Sequence, residues 1–414
     1  MARDDLGWLP ESGVRGVGST SEPTLRFTPP LRKVLDLMTI RTRTDYEHAI
    51  QALGICVSVR IPVLLWGNPG EGKTAAVESA AGLGWHVETV IITHSEPSDF
   101  AGLPVVTADG SVSLAPPAWA KRLADHDGPS IAFFDEFSTA SPALQAAALR
   151  PLTHYEVGSI QLPPSVAFVA AANPSDVAAA GWELAAPTAS RFVHLDWGMP
   201  YEVFAEGLVT GRWPSLPVHA EPAEYQRHLD EERVLVSGFL RARESQLSAI
   251  PTNAADRGRA FPTPRTWDYA ARLSAFSRAV HANAEVRQLL VAGCIGDAAA
   301  HEYLRWIAAQ DLVDPEVLLN EPSAADFADV RTDRVFVTLQ AVLAAFSRQP
   351  TNVRWQAAIE ICARAAEQVG IDPAVPVIRS LMRPGLRPDG TIMPPSIKIF
   401  APALALAGLL PAAP

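Results

Sequence analysis

Two glycines, a lysine and a threonine shape the stretch Gly67-Asn68-Pro69-Gly70-Glu71-Gly72-Lys73-Thr74. Their spacing is G-x-x-x-x-G-K-[ST], and the apolar run Ile61-Pro62-Val63-Leu64-Leu65-Trp66 comes directly before. These residue types suit one task. Glycines let the backbone curl until several N–H groups aim at one anion. Lys73 adds a cation that reaches the outer phosphates of a polyphosphate, and Thr74 offers a hydroxyl to Mg²⁺. A helix starting at Lys73 would aim its positive dipole end at the same spot. The bland alternative is a chance Gly-rich turn, against which the strand before and the helix after both argue. Gly67, Asn68, Pro69, Gly70, Glu71, Gly72, Lys73 and Thr74 are thus candidate nucleotide-binding residues.

A cradle alone does no chemistry. The run Ile131-Ala132-Phe133-Phe134-Asp135-Glu136 supplies what is missing. Four apolar residues predict a buried parallel strand, and two carboxylates stand at its carboxyl end. In a doubly wound sheet, ligands sit at that edge. Asp135 would join Thr74 in holding Mg²⁺, and Glu136 would orient and polarise an attacking water. An ordinary surface Asp-Glu pair is the competing reading. Asn173 ends the strand-like run Val166–Ala171 and precedes Pro174. A neutral amide there can hydrogen-bond the water or the γ-phosphate, although an Asn before Pro is also a common turn. Arg191 precedes a last core strand, Phe192-Val193-His194-Leu195. From there a cation reaches its own loop poorly, but in a ring it could stabilise charge in a neighbour's site. Its alternative is a surface loop arginine.

These residues must be held by strands and helices in alternation. Residues 45–55 read as a short helix, 73–81 as the helix after the loop, and 87–92 as a second strand. The Asp-Gly pair centred in 105–114 signals a hairpin. Residues 119–125 read as a helix, and Ser141-Pro142 opens another, with Pro in its favoured first turn. Beyond residue 200 the pattern is helical, with Pro-rich joints at 213–223 and 261–264 and helical periodicity at 331–346 and 352–368. The fold class is α/β: a P-loop NTPase parallel-sheet core with a hairpin insert, then a helical lid and a small helical C-terminal extension. The expected divisions are a flexible arm at 1–30, the core at 31–198, the lid at 199–310, and an extension at 311–414 ending in a loose Pro-rich tail.

The chain has 414 residues, enough for two or three domains. Its formal net charge of −11 argues against a general nucleic-acid surface, though not against a local basic channel. The cysteines Cys56, Cys294 and Cys362 have no metal-ligand or redox spacing, which points to a reducing, cytoplasmic setting. The start Met1-Ala2-Arg3-Asp4-Asp5 lacks a signal-peptide pattern, and no run reaches the roughly 18 apolar residues of a membrane span. His86, His94, His154 and His194 lack metal spacing and read as partly buried structural histidines. Trp66 reads as packing, and Arg122 and Arg150 as solvated surface.

Taken in order, these motifs resemble the AAA+ ATPases, and within them the MoxR-like branch. Gly67–Thr74 resembles Walker A and Phe133–Glu136 Walker B. Ser98-Asp99-Phe100-Ala101-Gly102 resembles the segment ahead of the branch's hairpin insert. Asp135-Glu136 followed by Ser141-Pro142 and Gln145-Ala146-Ala147-Ala148-Leu149 also looks MoxR-like. Ala171–Pro174 resembles the sensor-1 strand end and Ser190-Arg191-Phe192 the arginine-finger segment, with Ser190 standing where the branch usually has an acid. Arg265, after Pro264, resembles sensor 2, which would touch the γ-phosphate in cis; a lid-surface arginine paired with a nearby acid is the alternative. The resemblance spans roughly residues 45–290. It implies ATP as substrate with Mg²⁺, a homo-hexameric ring, and chaperone-like remodelling or maturation of a client protein. A von Willebrand A-domain partner, if present, would be a separate chain. A ring that remodels nucleic acid and a nucleotide-gated scaffold with little turnover stand as alternatives, and no motif separates ATP from GTP.

Overall fold

Five short apolar runs make the central sheet: β1 (Val63–Trp66), β2 (His86–Ile91), β5 (Ser130–Asp135), β8 (Val166–Ala172) and β9 (Val193–Asp196). In the computed structural model, which describes residues 40, 42–174, 181–310 and 312–409, their order is β2-β5-β8-β1-β9. Every pairing is parallel. Parallel strands covered on both faces need side chains that are apolar in both directions. All seven residues of β8 are accordingly buried, as are the first five of β5. One core lies under this sheet, where Phe134 meets Phe100, Trp119, Phe137 and Phe168.

The register decides the chemistry. Trp66 lies opposite both Ala172 and Asp196, and Ile91 lies opposite Asp135. The loops after all five strands therefore leave from one edge, the edge where open α/β sheets bind ligands.

The first described helix, Arg43–Val59, is longer than the short helix expected at 45–55. A capping box of Thr42 and Asp45 starts it, and Arg60 in the left-handed conformation ends it. The helix after the loop is α-helical only over Lys73–Glu78 and tightens to a 3₁₀ turn at Ser79–Leu83. The hairpin insert is present as β3 (Leu103–Val106) and β4 (Val112–Ala115), and β3 is exposed along its whole length. A second hairpin, β6 (Glu156–Val157) with β7 (Ile160–Gln161), lies at its base, where the Ser159 N–H donates to Leu114 O at 2.9 Å.

The lid helices Tyr225–Ala242, Pro264–Ala279 and Ala284–Ile295 follow. Gly293 sets one of them directly on β9: a Cβ there would come within 2.6 Å of His194 O. From Ile40 onward the chain clusters as one compact unit. The C-terminal helices Thr332–Arg348 and Asn352–Val369 build a second core around Trp355 and Cys362. The Pro-rich end, as far as residue 409, packs against that core. Pro395 and Pro402 occupy helix first turns, where a missing N–H costs nothing, and Ile397, Phe400 and Leu404 are buried in that core. The arm expected at 1–30 lies outside the described residues.

Candidate nucleotide site

The loop between β1 and the Lys73–Glu78 helix turns through two left-handed glycines, Gly70 (φ 83°) and Gly72 (φ 74°). A side chain at either position would be strained, which explains glycine at both. Gly67 extends the β1–β8 ladder, donating to Ala172 O at 3.2 Å. Lys73 is buried, and its Nζ donates to Gly67 O (2.6 Å), Asn68 O (2.9 Å) and Asn173 Oδ1 (3.0 Å). All three ammonium protons thus have partners, two in the loop and one at the end of β8. Burial lowers the Lys73 pKa, with Glu71, Asp135 and Glu136 opposing that shift.

Thr74 Oγ1 donates to Asp135 Oδ2 at 2.8 Å. A hydroxyl and a carboxylate side by side are the hard oxygen donors that Mg²⁺ prefers, so the residues present fit that ion. Asp135 Oδ1 accepts from the Glu136 N–H at 2.9 Å. Glu136 adopts the left-handed conformation (φ 58°), and its carboxylate accepts from the Thr93 hydroxyl. Asn173 is pinned through its own N–H, which donates to Ser138 Oγ at 3.1 Å.

The two arginines lie in a separate group. Arg191 Nε donates to Thr153 Oγ1 at 2.7 Å and Nη1 to Pro187 O at 2.5 Å. Arg265 stands in the first turn of the Pro264–Ala279 helix, and its Nη1 approaches Ser190 Oγ at 3.4 Å. Burial, and after it repulsion from Arg265, lowers the Arg191 pKa. The Thr263–Thr266 capping box fixes the helix start, and so sets Arg265 beside the Ser190 turn and Arg191. Among the described residues, neither arginine hydrogen-bonds the loop or forms an ion pair with a carboxylate.

Two site residues gave no motif signal. Thr93 follows β2, and only the register placing Ile91 opposite Asp135 reveals it. Arg259 stacks its guanidinium 4.1 Å from the Trp66 ring centre and pairs with Asp196 at 3.1 Å. Trp66 therefore does more than fill space. Its Nε1 also donates to His194 Nδ1 at 2.9 Å, and His194 is buried and structural as expected. His86 is half-buried, whereas His94 and His154 are exposed, contrary to expectation, because both stand at element ends. Arg122 is paired with Glu88 and Arg150 with Glu156. Among the described residues no metal-binding group of His, Cys, Asp or Glu forms, and no helix is long and apolar enough to cross a membrane.

Residues 62–192 match the family model of the AAA domain, dynein-related subfamily. This part of the chain is an AAA domain. The match runs from just before β1 to just before β9, and so contains the loop, Asp135, Glu136, Asn173 and Arg191. The MoxR-like resemblance is consistent with it. No curated protein matches the chain. Among solved structures, one described as a "putative ATPase" from Cytophaga hutchinsonii is 15% identical with a TM-score of 0.42, over 63% of this chain and 88% of that one. A likeness of that size carries no argument.

Proposed function

We propose that this chain hydrolyses ATP with Mg²⁺ as one subunit of a ring, a homo-hexamer, and uses the cycle to remodel or mature a client protein in the cytoplasm. The AAA domain supports nucleotide-driven activity. The observation that carries the finer reading is how the charged groups divide their partners. Lys73 bonds to Asn173 and Thr74 to Asp135, while Arg191 and Arg265 bond to Thr153 and to the Pro187–Ser190 turn instead.

In this reading the loop amides from Gly70 to Thr74 hold the phosphates, and Lys73 leaves its carbonyl partners for the outer ones. Thr74 and Asp135 hold Mg²⁺, which when bound neutralises charge between the outer phosphates. Glu136 orients the attacking water and Asn173 steadies it. Arg191 and Arg265 serve the neighbouring subunit: two guanidiniums without a carboxylate partner fit a developing phosphate charge. The sensor-2 resemblance implies a cis contact for Arg265, which stands as the alternative to this trans role. The lid, resting on β9 through Gly293, would shift with the nucleotide. Leu103, Val106 and Val112 on the exposed hairpin offer an apolar surface to a client, and a separate von Willebrand A-domain chain is the partner that the MoxR-like resemblance suggests.

Steady-state ATP hydrolysis over a range of protein concentrations, wild type beside Glu136→Gln, tests this. Turnover per subunit should rise with concentration and vanish in the variant. Equal turnover in the two proteins would remove Glu136 from the mechanism. Hydrolysis stimulated by nucleic acid rather than by a protein client would favour the nucleic-acid alternative.

A further inference from the structure

The loop carries a carboxylate that its chemistry does not call for. Glu71 folds back so that Oε2 accepts from the Asn68 N–H at 2.9 Å and Oε1 from Asn68 Nδ2 at 3.1 Å. Its own N–H reaches Asn68 O at 3.4 Å, and Trp197 Nε1 donates to Glu71 O at 3.1 Å. A Cβ on Gly67 would come within 3.0 Å of Glu71 Oε2, so the carboxylate lies flat against the first residue of the loop. Glu71 is only half-buried, and among the described residues no arginine or lysine forms an ion pair with it.

Charge makes this arrangement consequential. Lys73 is the one cation of the loop, and three carboxylates act on it: Glu71 most strongly, then Asp135 and Glu136. One positive charge against three negative ones leaves the empty site anionic before any phosphate arrives. Asp135 and Glu136 have work in hydrolysis. Glu71 has none there, yet it ties the loop down through Asn68 and repels what the loop binds.

We propose that Glu71 is a resident anion that staples the loop in its binding shape while its charge holds nucleotide affinity down, so that the triphosphate enters with its divalent cation rather than bare. This rests on reading Gly67–Thr74 as the nucleotide loop. Stapling and repulsion are separable. Glu71→Gln keeps an acceptor for the Asn68 N–H and removes the charge; Glu71→Ala removes both.

The experiment titrates ATP and ADP onto the full chain, with Mg²⁺ and with a chelator, for wild type, Glu71→Gln, Glu71→Ala and Lys73→Ala. Glu71→Gln should bind about three- to tenfold tighter, more so for ATP than ADP and more so without Mg²⁺, as expected for one charge removed several ångströms from a polyphosphate. The gain should shrink as salt rises, because a half-exposed charge is screened. Glu71→Ala should bind more weakly than Glu71→Gln, since the staple is gone too. Equal or weaker binding in Glu71→Gln, or a gain indifferent to salt, would overturn the repulsion; equal binding in the Gln and Ala variants would overturn the staple. Normal binding by Lys73→Ala would instead overturn the loop assignment, whatever the Glu71 variants do.

Discussion

The hydroxyl of Thr93 donates to the carboxylate of Glu136 across two neighbouring strand ends. Thr139 adds a second hydroxyl 3.2 Å from Thr93 Oγ1 and itself donates to Glu136 O at 2.8 Å. A carboxylate held this way has less freedom to polarise a water. Hydrogen bonds to charged groups are worth about 1.5–3 kcal/mol, so releasing Glu136 is a real part of any barrier that includes its reorientation. Thr93→Val keeps the shape and removes the donor. Basal ATP turnover should rise by about three- to tenfold, less than the full bond because water replaces the donor at this exposed carboxylate. Thr93→Ser should behave as wild type. A fall in turnover would mean that Thr93 positions Glu136 for catalysis instead of restraining it.

Arg191 and Arg265 make a second prediction, because they stand together. Arg191→Ala and Arg265→Ala should each fold, bind nucleotide like wild type, and lose hydrolysis by about a hundredfold or more. The double variant should lose little beyond either single one, as groups acting on one phosphate are not additive. Mixing Arg265→Ala with Lys73→Ala subunits restores an intact loop facing an intact arginine at about a quarter of the interfaces of a cyclic ring. Recovered hydrolysis in that mixture is the expected result. If Arg265→Ala instead weakens nucleotide binding and no mixture recovers, Arg265 acts on its own loop.

How far each arginine's surroundings are legible in the sequence is a question of range. Gly67–Thr74, Asp135, Glu136 and Asn173 all leave the ends of strands whose apolar runs are short and continuous, so their edge could be read from order alone. Arg191 borders such a strand and was equally legible. Arg265 belongs to a helix whose docking depends on the Thr263–Thr266 cap and on the lid packing against β9, and neither has a local signature. Thr93 is similar: no motif marks it, and its role exists only through the β2–β5 register. The hairpin β6–β7 was missed because two-residue strands have no period to detect. In the C-terminal tail Pro395 and Pro402 open helical turns, a role that a proline's presence alone does not distinguish from a break.

The lid is stitched by one buried acid. Glu232 is fully buried and accepts from Arg278 Nη1 (2.9 Å) and Arg287 Nη2 (3.0 Å), joining three lid helices. Removing one partner of a buried ion network leaves the others uncompensated, and such losses cost about 3–5 kcal/mol. Glu232→Gln should therefore destabilise the protein by about that amount in chemical denaturation. Glu302 offers the contrast. Its pair with Arg243 at 2.8 Å is open to solvent on both sides, and Glu302→Gln should cost less than about 1 kcal/mol. Equal losses for the two would mean that Glu232 is solvated in practice.

His194 gives the protein an acid limit. Burial pushes its pKa down to about 4 from 6.5, with the bond to Ala189 O opposing and Arg259 adding to the shift. The ring accepts from Trp66 through Nδ1 and donates to Ala189 O through Nε2 (3.0 Å), an arrangement available only to the neutral tautomer. Above pH 6.5 the group is neutral folded or unfolded, so its stabilising bonds are fully present. As pH falls from 6.5 toward 4 the unfolded chain takes up a proton that the folded one refuses, and stability is lost across that window. The loss from this one group is on the order of 3 kcal/mol. His194→Gln cannot titrate, so its denaturation midpoint should fall less steeply over the same range. Parallel acid limbs in the two proteins would show that His194 is not the titrating group. The bond to Ala189 also bears on the site, since Ser190 and Arg191 follow directly. His194→Phe, which can accept from neither Trp66 nor donate to Ala189, should lower hydrolysis while nucleotide binding holds, and Gln should restore part of it. A Phe variant with full turnover would show that Arg191 needs no support from below.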